Sequence, residues 1–362
     1  MTKISSLQDP LDLLIDWARA GQPCAMATVT STWGSSPRPA GSMMAVCANG
    51  RIEGSVSGGC VEGAVIEEAR TVMDTGRPVA LSYGVSSDEA WAVGLACGGL
   101  LDVYVTAIRT PGHPQGTLDL ELLETVAAKR HARVPVIMAT ELATGRTRLL
   151  YRDAAPPGPQ PDNGLETKLH ARAAEVFATG RSLRLEDDTG QALWFLHLVP
   201  MQPRLLVVGA VHIAQVLAPM AQTTGFDVTV VDPRTQLATA ERFPGITLHT
   251  DWPDEAMAQM GVDNQTAIVT LTHDAKLDDP TLHYALGSDA FYIGALGSRK
   301  TQASRVKRLG DAGFTPAQIA RIHGPVGLAI GAVGAAEIAL SILAEIVAVR
   351  HDRPLGRVSG WA

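Results

Sequence analysis

Apolar residues recur along the chain in two rhythms, and the change between them falls near residue 200. In the first half the pattern is mixed. Asp9 and Pro10, a capping residue and a first-turn proline, precede Leu11, Leu13, Leu14, Ile15 and Trp17, which predicts an amphipathic helix opening at Pro10. Residues 24–32 and 42–48 predict β segments, and a helix follows from 61 to about 74, ending near Gly76 and Pro78. A strand at 100–108, a helix at 117–130 and strands at 134–140 and 193–199 complete this half. From Arg204 the elements alternate: strand 205–208, helix 212–223, strands 226–231, 267–271 and 291–295, then a helix from Arg299. That alternation implies right-handed crossovers and a parallel sheet covered on both faces.

The expected fold class is α/β: a C-terminal Rossmann-like parallel-sheet domain, residues 201–362, preceded by a mixed α+β domain, residues 1–200. Residues 153–164 carry four prolines among turn formers and read as an exposed loop within the first domain. The junction is set at Pro200-Met-Gln-Pro203. The most apolar stretch, 326–349, is interrupted at Glu337, Ser341 and Glu345. Their spacing of four places them on one stripe of a helix, which suits a buried helix with a hydrogen-bonded edge better than a membrane span.

With 46% hydrophobic and 19% charged residues, the chain reads as globular. A formal charge of -7 argues against a general nucleic-acid binder, which needs a broad basic face. Residues 1–10 contain Asp9 and no apolar run, so they do not read as a signal peptide, and the expected location is the cytoplasm. Four cysteines, at 24, 47, 60 and 97, lack metal-finger spacing and are expected as reduced thiols. Cys24 and Cys47 lie inside apolar β patterns and read as core.

Candidate chemistry concentrates in glycine-rich turns. In Gly54-Ser-Val-Ser-Gly-Gly-Cys-Val-Glu62, Gly58 and Gly59 expose backbone amides, and Cys60 sits at the start of a helix whose dipole favours a thiolate. The plainer reading of Cys60 is a small buried residue in a tight turn. Cys97 stands in a second such turn, Gly94-Leu-Ala-Cys-Gly-Gly-Leu100. If Cys60 and Cys97 meet, paired thiols suit molybdenum or a dithiolene better than a hard cation. Arg38 stands on a loop stiffened by a proline on each side. In the second half, Val208-Gly-Ala-Val-His-Ile-Ala214 stands where a dinucleotide fingerprint belongs, with Gly209 in its turn and Asp232 at the end of the next strand, placed to bind ribose hydroxyls. The fingerprint's second glycine is Val211, which obstructs close approach of a pyrophosphate. His273 and Asp274 follow another strand. Arg299 and Lys300 open a helix after a flexible turn, whereas Arg305, Lys307 and Arg308 read as a solvated helix face.

Several ordered runs resemble the XdhC/CoxI family, accessory factors of xanthine dehydrogenase and related molybdenum hydroxylases. They are Gly34-Ser-Ser-Pro-Arg-Pro-Ala-Gly41, the Gly54–Glu62 run, Ala96-Cys-Gly-Gly99, Thr272-His-Asp274, Tyr292-Ile-Gly-Ala-Leu-Gly-Ser-Arg299, His323-Gly-Pro-Val-Gly-Leu328 and the helix 336–345. The resemblance covers both ends of the chain, while residues from roughly 110 to 200 match poorly. It implies a chaperone without catalysis of its own. Such a protein holds the molybdenum cofactor (molybdopterin) transiently, supports its sulfuration with a cysteine desulfurase and delivers it to an apo molybdenum hydroxylase. By position, Cys60 and Cys97 are its metal and cofactor contacts, with Glu62 orienting or deprotonating a neighbour. On the same resemblance Arg38 would hydrogen-bond a phosphate or pterin oxygen, and a homodimer is the expected assembly. The rival reading is an NAD(P)- or flavin-dependent oxidoreductase with His273 as acid/base and Gly209, Asp232 and Arg299 around a nucleotide. A third reading is a binding scaffold without cofactor, whose apolar final helix mediates dimerisation or docking.

Overall fold

The computed structural model describes residues 9–34, 38–84, 99–152, 165–187 and 189–353. Among them, those up to Met201 form one compact unit and those from Gln202 another.

In the first unit, helix α1 (Pro10–Arg19) is capped by Asp9, whose carboxylate accepts from the Leu11 amide at 2.9 Å. Strands β1 (Cys24–Trp33), β2 (Met43–Cys47) and β3 (Ile52–Gly54) then build an antiparallel meander, followed by helix α2 (Glu62–Thr75) and strands β4 (Val79–Tyr83) and β5 (Leu100–Arg109). Strand β6 (Leu118–Asp119) leads directly into helix α3 (Leu120–His131). The sheet order is β3-β2-β1-β5-β4, with β6 beside β5. Alternation along β1 separates two cores. Ala25, Ala27 and Val29 meet Val65, Ala69 and Val72 of α2, while Cys24 and Met26 face the side covered by Leu11, Leu14, Leu123 and Val126. Arg130, only 9% exposed, ties α3 to α1 through Asp9 and Asp12 at 2.8 and 2.9 Å.

A second antiparallel sheet in the same unit has the order β8-β7-β10-β9. Its strands are β7 (Val136–Glu141), β8 (Thr147–Tyr151), β9 (Leu183–Glu186) and β10 (Ala192–Leu198), and helix α4 (Leu165–Thr179) packs on it through Leu169, Ala173 and Val176. The sequence reading contains neither β8, β9 nor α4. The proline-rich loop at 153–164 lies outside the described residues.

The second unit runs β11 (Arg204–Val208), α5 (His212–Thr223), β12 (Asp227–Val231), β13 (Thr247–His249), α6 (Pro253–Met260), β14 (Thr266–Thr270), α7 (Ala275–Leu286), β15 (Tyr292–Ala295), α8 (Arg299–Asp311), α9 (Pro316–Ile319), β16 (Ile322–His323) and α10 (Ala335–Arg350). All six strands are parallel, in the order β13-β12-β11-β14-β15-β16. The α/β, Rossmann-like expectation holds. Leu205 and Val207 face α5 and α10, and Leu206 faces α7 and α8, so both sides of β11 are buried. Strand order reverses between β11 and β14, and the crevice beyond their carboxyl ends is where such sheets bind ligands.

The stripe on α10 is hydrogen-bonded as expected: Glu337 accepts from the Val333 amide, Ser341 donates to the Ile338 carbonyl, and Glu345 is buried. Arg305 corrects the sequence reading. It is 1% exposed, not solvated, and its guanidinium donates to the Leu296 carbonyl at 2.9 Å and lies 3.6 Å from the buried Asp278. Helical spacing shows which residues share a face, but a basic face can close over a strand end when a buried acid waits beneath it.

Candidate functional site

The glycine-rich loop after β3 is organised from within. Glu62, the first residue of α2, folds its carboxylate back over residues 55–59. One oxygen accepts from the Ser55 hydroxyl (2.6 Å) and from the amides of Val56 (3.2 Å), Ser57 (2.9 Å) and Gly58 (3.0 Å). The other accepts from the Ser57 hydroxyl (2.5 Å) and the Gly59 amide (2.8 Å). The Ser57 hydroxyl in turn accepts from the Cys60 and Val61 amides at 3.0 and 3.1 Å. Gly58 and Gly59 have φ of 88° and 123°, left-handed backbone that glycine adopts without strain and that continues the convergence of amides begun at Val56 and Ser57.

This geometry changes two readings made from the sequence. The amides of Gly58 and Gly59 are indeed an anion nest, but the anion is the chain's own carboxylate. Burial by itself would raise the Glu62 carboxyl, yet the hydroxyls of Ser55 and Ser57 and the Ser57 amide outweigh it and bring it down to about 2. So strong an acid makes a poor proton acceptor, and its role is to brace the loop. The bracing is present in full above the ordinary carboxylate range and is lost as pH falls from about 4.5 toward 2. Glu62→Gln is expected to flatten the acid limb of a stability–pH curve in that window. It should also speed hydrogen exchange at Gly58 and Gly59, and an unchanged acid limb would show the loop to be held by other means.

What the braced loop presents is Cys60, which is exposed, whereas Cys24 and Cys47 are buried. The latter two are register partners across β1 and β2, and burial, helped by Cys47, pushes the Cys24 thiol up to about 12. Their reading as core residues fits, and the buried-turn reading of Cys60 does not.

Strand directions bring three strand ends to one end of the first sheet. β1 ends there at Trp33, β4 at Tyr83, and the antiparallel β5 begins there at Leu100. The loop from β3 to α2 climbs to the same end, because the 14 residues of α2 then return the chain by about 21 Å. Arg38 follows β1 and is exposed, and Trp33 and Leu100, a register pair, are 69% and 48% exposed at this rim. Cys97 lies outside the described residues, and so does any pairing of it with Cys60. Among the described residues no group of three or more His, Cys, Asp or Glu side chains is placed to hold a metal ion.

In the second unit, the candidates stand around the β11/β14 reversal. Gly209 follows β11 with φ of 110°, and a β-carbon there would come within 2.6 Å of the Thr272 methyl. Asp232 follows β12, fully buried. Its carboxylate accepts from the Ala210 amide (2.7 Å) and from Arg234 through the amide (3.0 Å), Nε (2.9 Å) and Nη2 (2.8 Å). Val211 packs against the core in ordinary extended backbone at the start of α5. His273 is exposed and holds φ of 60°, which is uncommon for a side chain with a β-carbon. Asp274 caps α7, Ser298 caps α8, and Arg299 and Lys300 are exposed in the first turn of α8. A surface hollow of about 530 Å³ along α7 is lined by Asp254, Lys276, Asp279, His283 and Tyr284 and includes none of these candidates.

Sequence reasoning missed a further cluster at β15, β16 and α10. The Tyr292 hydroxyl donates to Glu345 at 2.5 Å, the Gly327 amide donates to the same carboxylate at 2.8 Å, and His323 Nδ1 lies 3.3 Å from its other oxygen. The rings of Tyr292 and His323 stack at 4.6 Å. Burial would raise Glu345, but His323, Tyr292 and the Gly327 amide hold it below the usual carboxylate range. Glu345 stood out as an acid in an apolar helix. Its partners, 18 to 53 residues away, stand in the family-like runs 292–299 and 323–328, but no spacing along the chain linked them to Glu345.

Family models match both units: residues 17–84 fit that of the XdhC and CoxI family, and residues 205–346 fit that of the XdhC Rossmann domain. The chain belongs to the XdhC and CoxI family. It is 29% identical to a probable xanthine dehydrogenase subunit of Bacillus subtilis, over 90% of this chain and 92% of that protein. It is 28% identical to the molybdenum cofactor insertion chaperone PaoD of Escherichia coli, over 94% of this chain and 87% of that one. A crystal structure described as a xanthine dehydrogenase from Bacillus halodurans superposes with a TM-score of 0.75 at 25% identity, covering 97% of this chain and 98% of its counterpart. Residues 17–84 of the XdhC and CoxI match include Arg38, the braced loop and Cys60. Among the described residues, no helix is long and apolar enough to cross a membrane.

Proposed function

We propose that this XdhC and CoxI family member is a maturation chaperone: it binds the molybdenum cofactor transiently, keeps it available for sulfuration by a cysteine desulfurase, and inserts it into a xanthine dehydrogenase-type molybdenum hydroxylase. The observation that carries this reading is the exposed Cys60 on a loop stiffened by Glu62. A thiol sulfur is a soft donor, suited to molybdenum more than to a hard cation. The likeness to the insertion chaperone of Escherichia coli supports the same role. The cofactor supplies the oxygen-transfer and redox chemistry of the client enzyme.

This chain's residues hold and release. Cys60 contacts the cofactor at its metal end, and Glu62 keeps the loop rigid, so little ordering entropy is spent on binding. Because Gly58 and Gly59 already serve Glu62, the cofactor phosphate needs another cation, and Arg38 at the same end of the sheet is the one we assign. Cys97 is proposed as a second sulfur contact. The chaperone acts in the cytoplasm as a homodimer. Pterin and metal analysis of protein purified from a cofactor-producing strain tests the reading. Near-stoichiometric pterin with molybdenum is expected, and protein free of both, from cells whose hydroxylase is active, would overturn it.

A further inference from the structure

We infer that the second unit has turned its dinucleotide fingerprint inward, so that its crevice rejects a ribose diol, and that Arg234 is the residue that decides this. A nicotinamide dinucleotide asks three things of this fold: a carboxylate with free acceptor sites for the ribose hydroxyls, glycine backbone open to the pyrophosphate, and room above the turn. Each is already used within the chain.

The carboxylate comes first. Ionised, it offers about four acceptor positions. On Asp232 four donors fill them: the Ala210 amide, the Arg234 amide, and Nε and Nη2 of Arg234. No position remains for a hydroxyl, and at 0% exposure the group has no open side. A diol would have to displace a bidentate guanidinium, among the stronger pairings available to a carboxylate. The first glycine is spent as well. Its missing β-carbon serves the tight turn and admits the Thr272 methyl of the loop after β14, so Gly209 packs β11 against β14 and opens no room for a phosphate. Arg242 then fastens the turn from outside, donating to the Ala210 carbonyl at 2.9 Å. Val211, in place of the second glycine, packs against the core. The parallel sheet keeps the architecture of a dinucleotide domain and uses its recognition groups to lock β11, β12 and β14 together.

This inference is independent of the chaperone reading, since it concerns a different unit and a different ligand. The test is a titration of the full-length protein with NADH and with NADPH, followed by nucleotide fluorescence and calorimetry. The wild type is expected to show no saturable NADH binding into the millimolar range. Arg234→Ala vacates two acceptor positions on Asp232 while the two amides remain, and should show the saturable NADH binding that the wild type lacks, at least about tenfold above the wild-type signal at equal nucleotide, with Val211 still limiting the affinity reached. NADPH, whose 2′-phosphate would meet a bare carboxylate, should gain nothing. Saturable NADH binding by the wild type would overturn the inference, as would an Arg234→Ala protein, folded by circular dichroism, that gains none. Should the alanine variant fail to fold, Arg234→Gln keeps the bulk without the charge and is held to the same two outcomes.

Discussion

Cys60→Ala is expected to lose molybdopterin retention by about tenfold or more and to fall in parallel in activating an apo-hydroxylase, while its stability changes by no more than about 0.5 kcal/mol. The separation of the two effects follows from the geometry. The Cys60 side chain is exposed and stands outside the buried cluster that takes in its neighbours Val56 and Val61. Its amide, which donates to the Ser57 hydroxyl, survives the substitution. What disappears is the only exposed sulfur among the described cysteines. Cys24→Ala and Cys47→Ala supply the contrast. Both thiols are buried, 1% and 2% exposed, so they should lower stability by about 1 kcal/mol and leave retention intact. Pterin released from the purified variants and quantified by fluorescence distinguishes the cases. Undiminished retention by Cys60→Ala would remove this residue from the mechanism.

Asp278→Ala is expected to cost about 3–5 kcal/mol, the largest stability effect expected of any single substitution named for this protein. Asp278 and Arg305 are 3% and 1% exposed, with Arg305 Nη2 3.6 Å from the carboxylate and the Thr272 hydroxyl donating to it at 2.6 Å. Burial dominates both partners. It raises the Asp278 carboxyl despite Thr272 and Arg305, and it lowers Arg305 despite Asp278. Removing Asp278 leaves the Arg305 guanidinium buried with the Gln302 side chain and the Leu296 carbonyl as partners but without its counter-charge. A double replacement, Asp278→Leu with Arg305→Met, should recover at least half of the loss, which denaturant midpoints will show. A double variant as unstable as the single one would instead make the pair a net stabiliser. The pH dependence runs opposite to that of Glu62. With its folded carboxyl raised, Asp278 contributes less as pH climbs through the interval between its unfolded and folded values, whereas Glu62 contributes less as pH drops. Loss of Asp278 also frees Thr272 and with it the strained His273, so the crevice loop should show faster hydrogen exchange.

Much of the architecture was legible in residue order. The alternation from Arg204 onward specified a parallel sheet because a strand buried on both faces must be apolar throughout and must be followed by a helix long enough to cross back. Asp9 and Pro10 marked the start of α1 through a capping rule that needs only adjacent residues. The poorly matched middle was legible in part: β7 and β10 have clear apolar runs, but β9 is short and carries Arg184 and Glu186, and its existence depends on pairing with β10. Periodicity does not register a strand whose stability comes from its neighbour.

The sequence by itself determined the Rossmann-like half and, through its ordered runs, the family, and it put forward Cys60 and Cys97 as candidate thiols. All of these depend on local composition or on spacing along the chain. Only the tertiary structure decided what the polar groups are for. It turned the Gly58 and Gly59 amides onto Glu62, closed Arg234 over Asp232, sank Arg305 onto Asp278 and joined Tyr292 and His323 to Glu345. A hydrogen bond or ion pair is satisfied by whichever partner the fold brings within about 3 Å. Residue order names the donors and acceptors, and it does not say which of them the fold has already matched to one another.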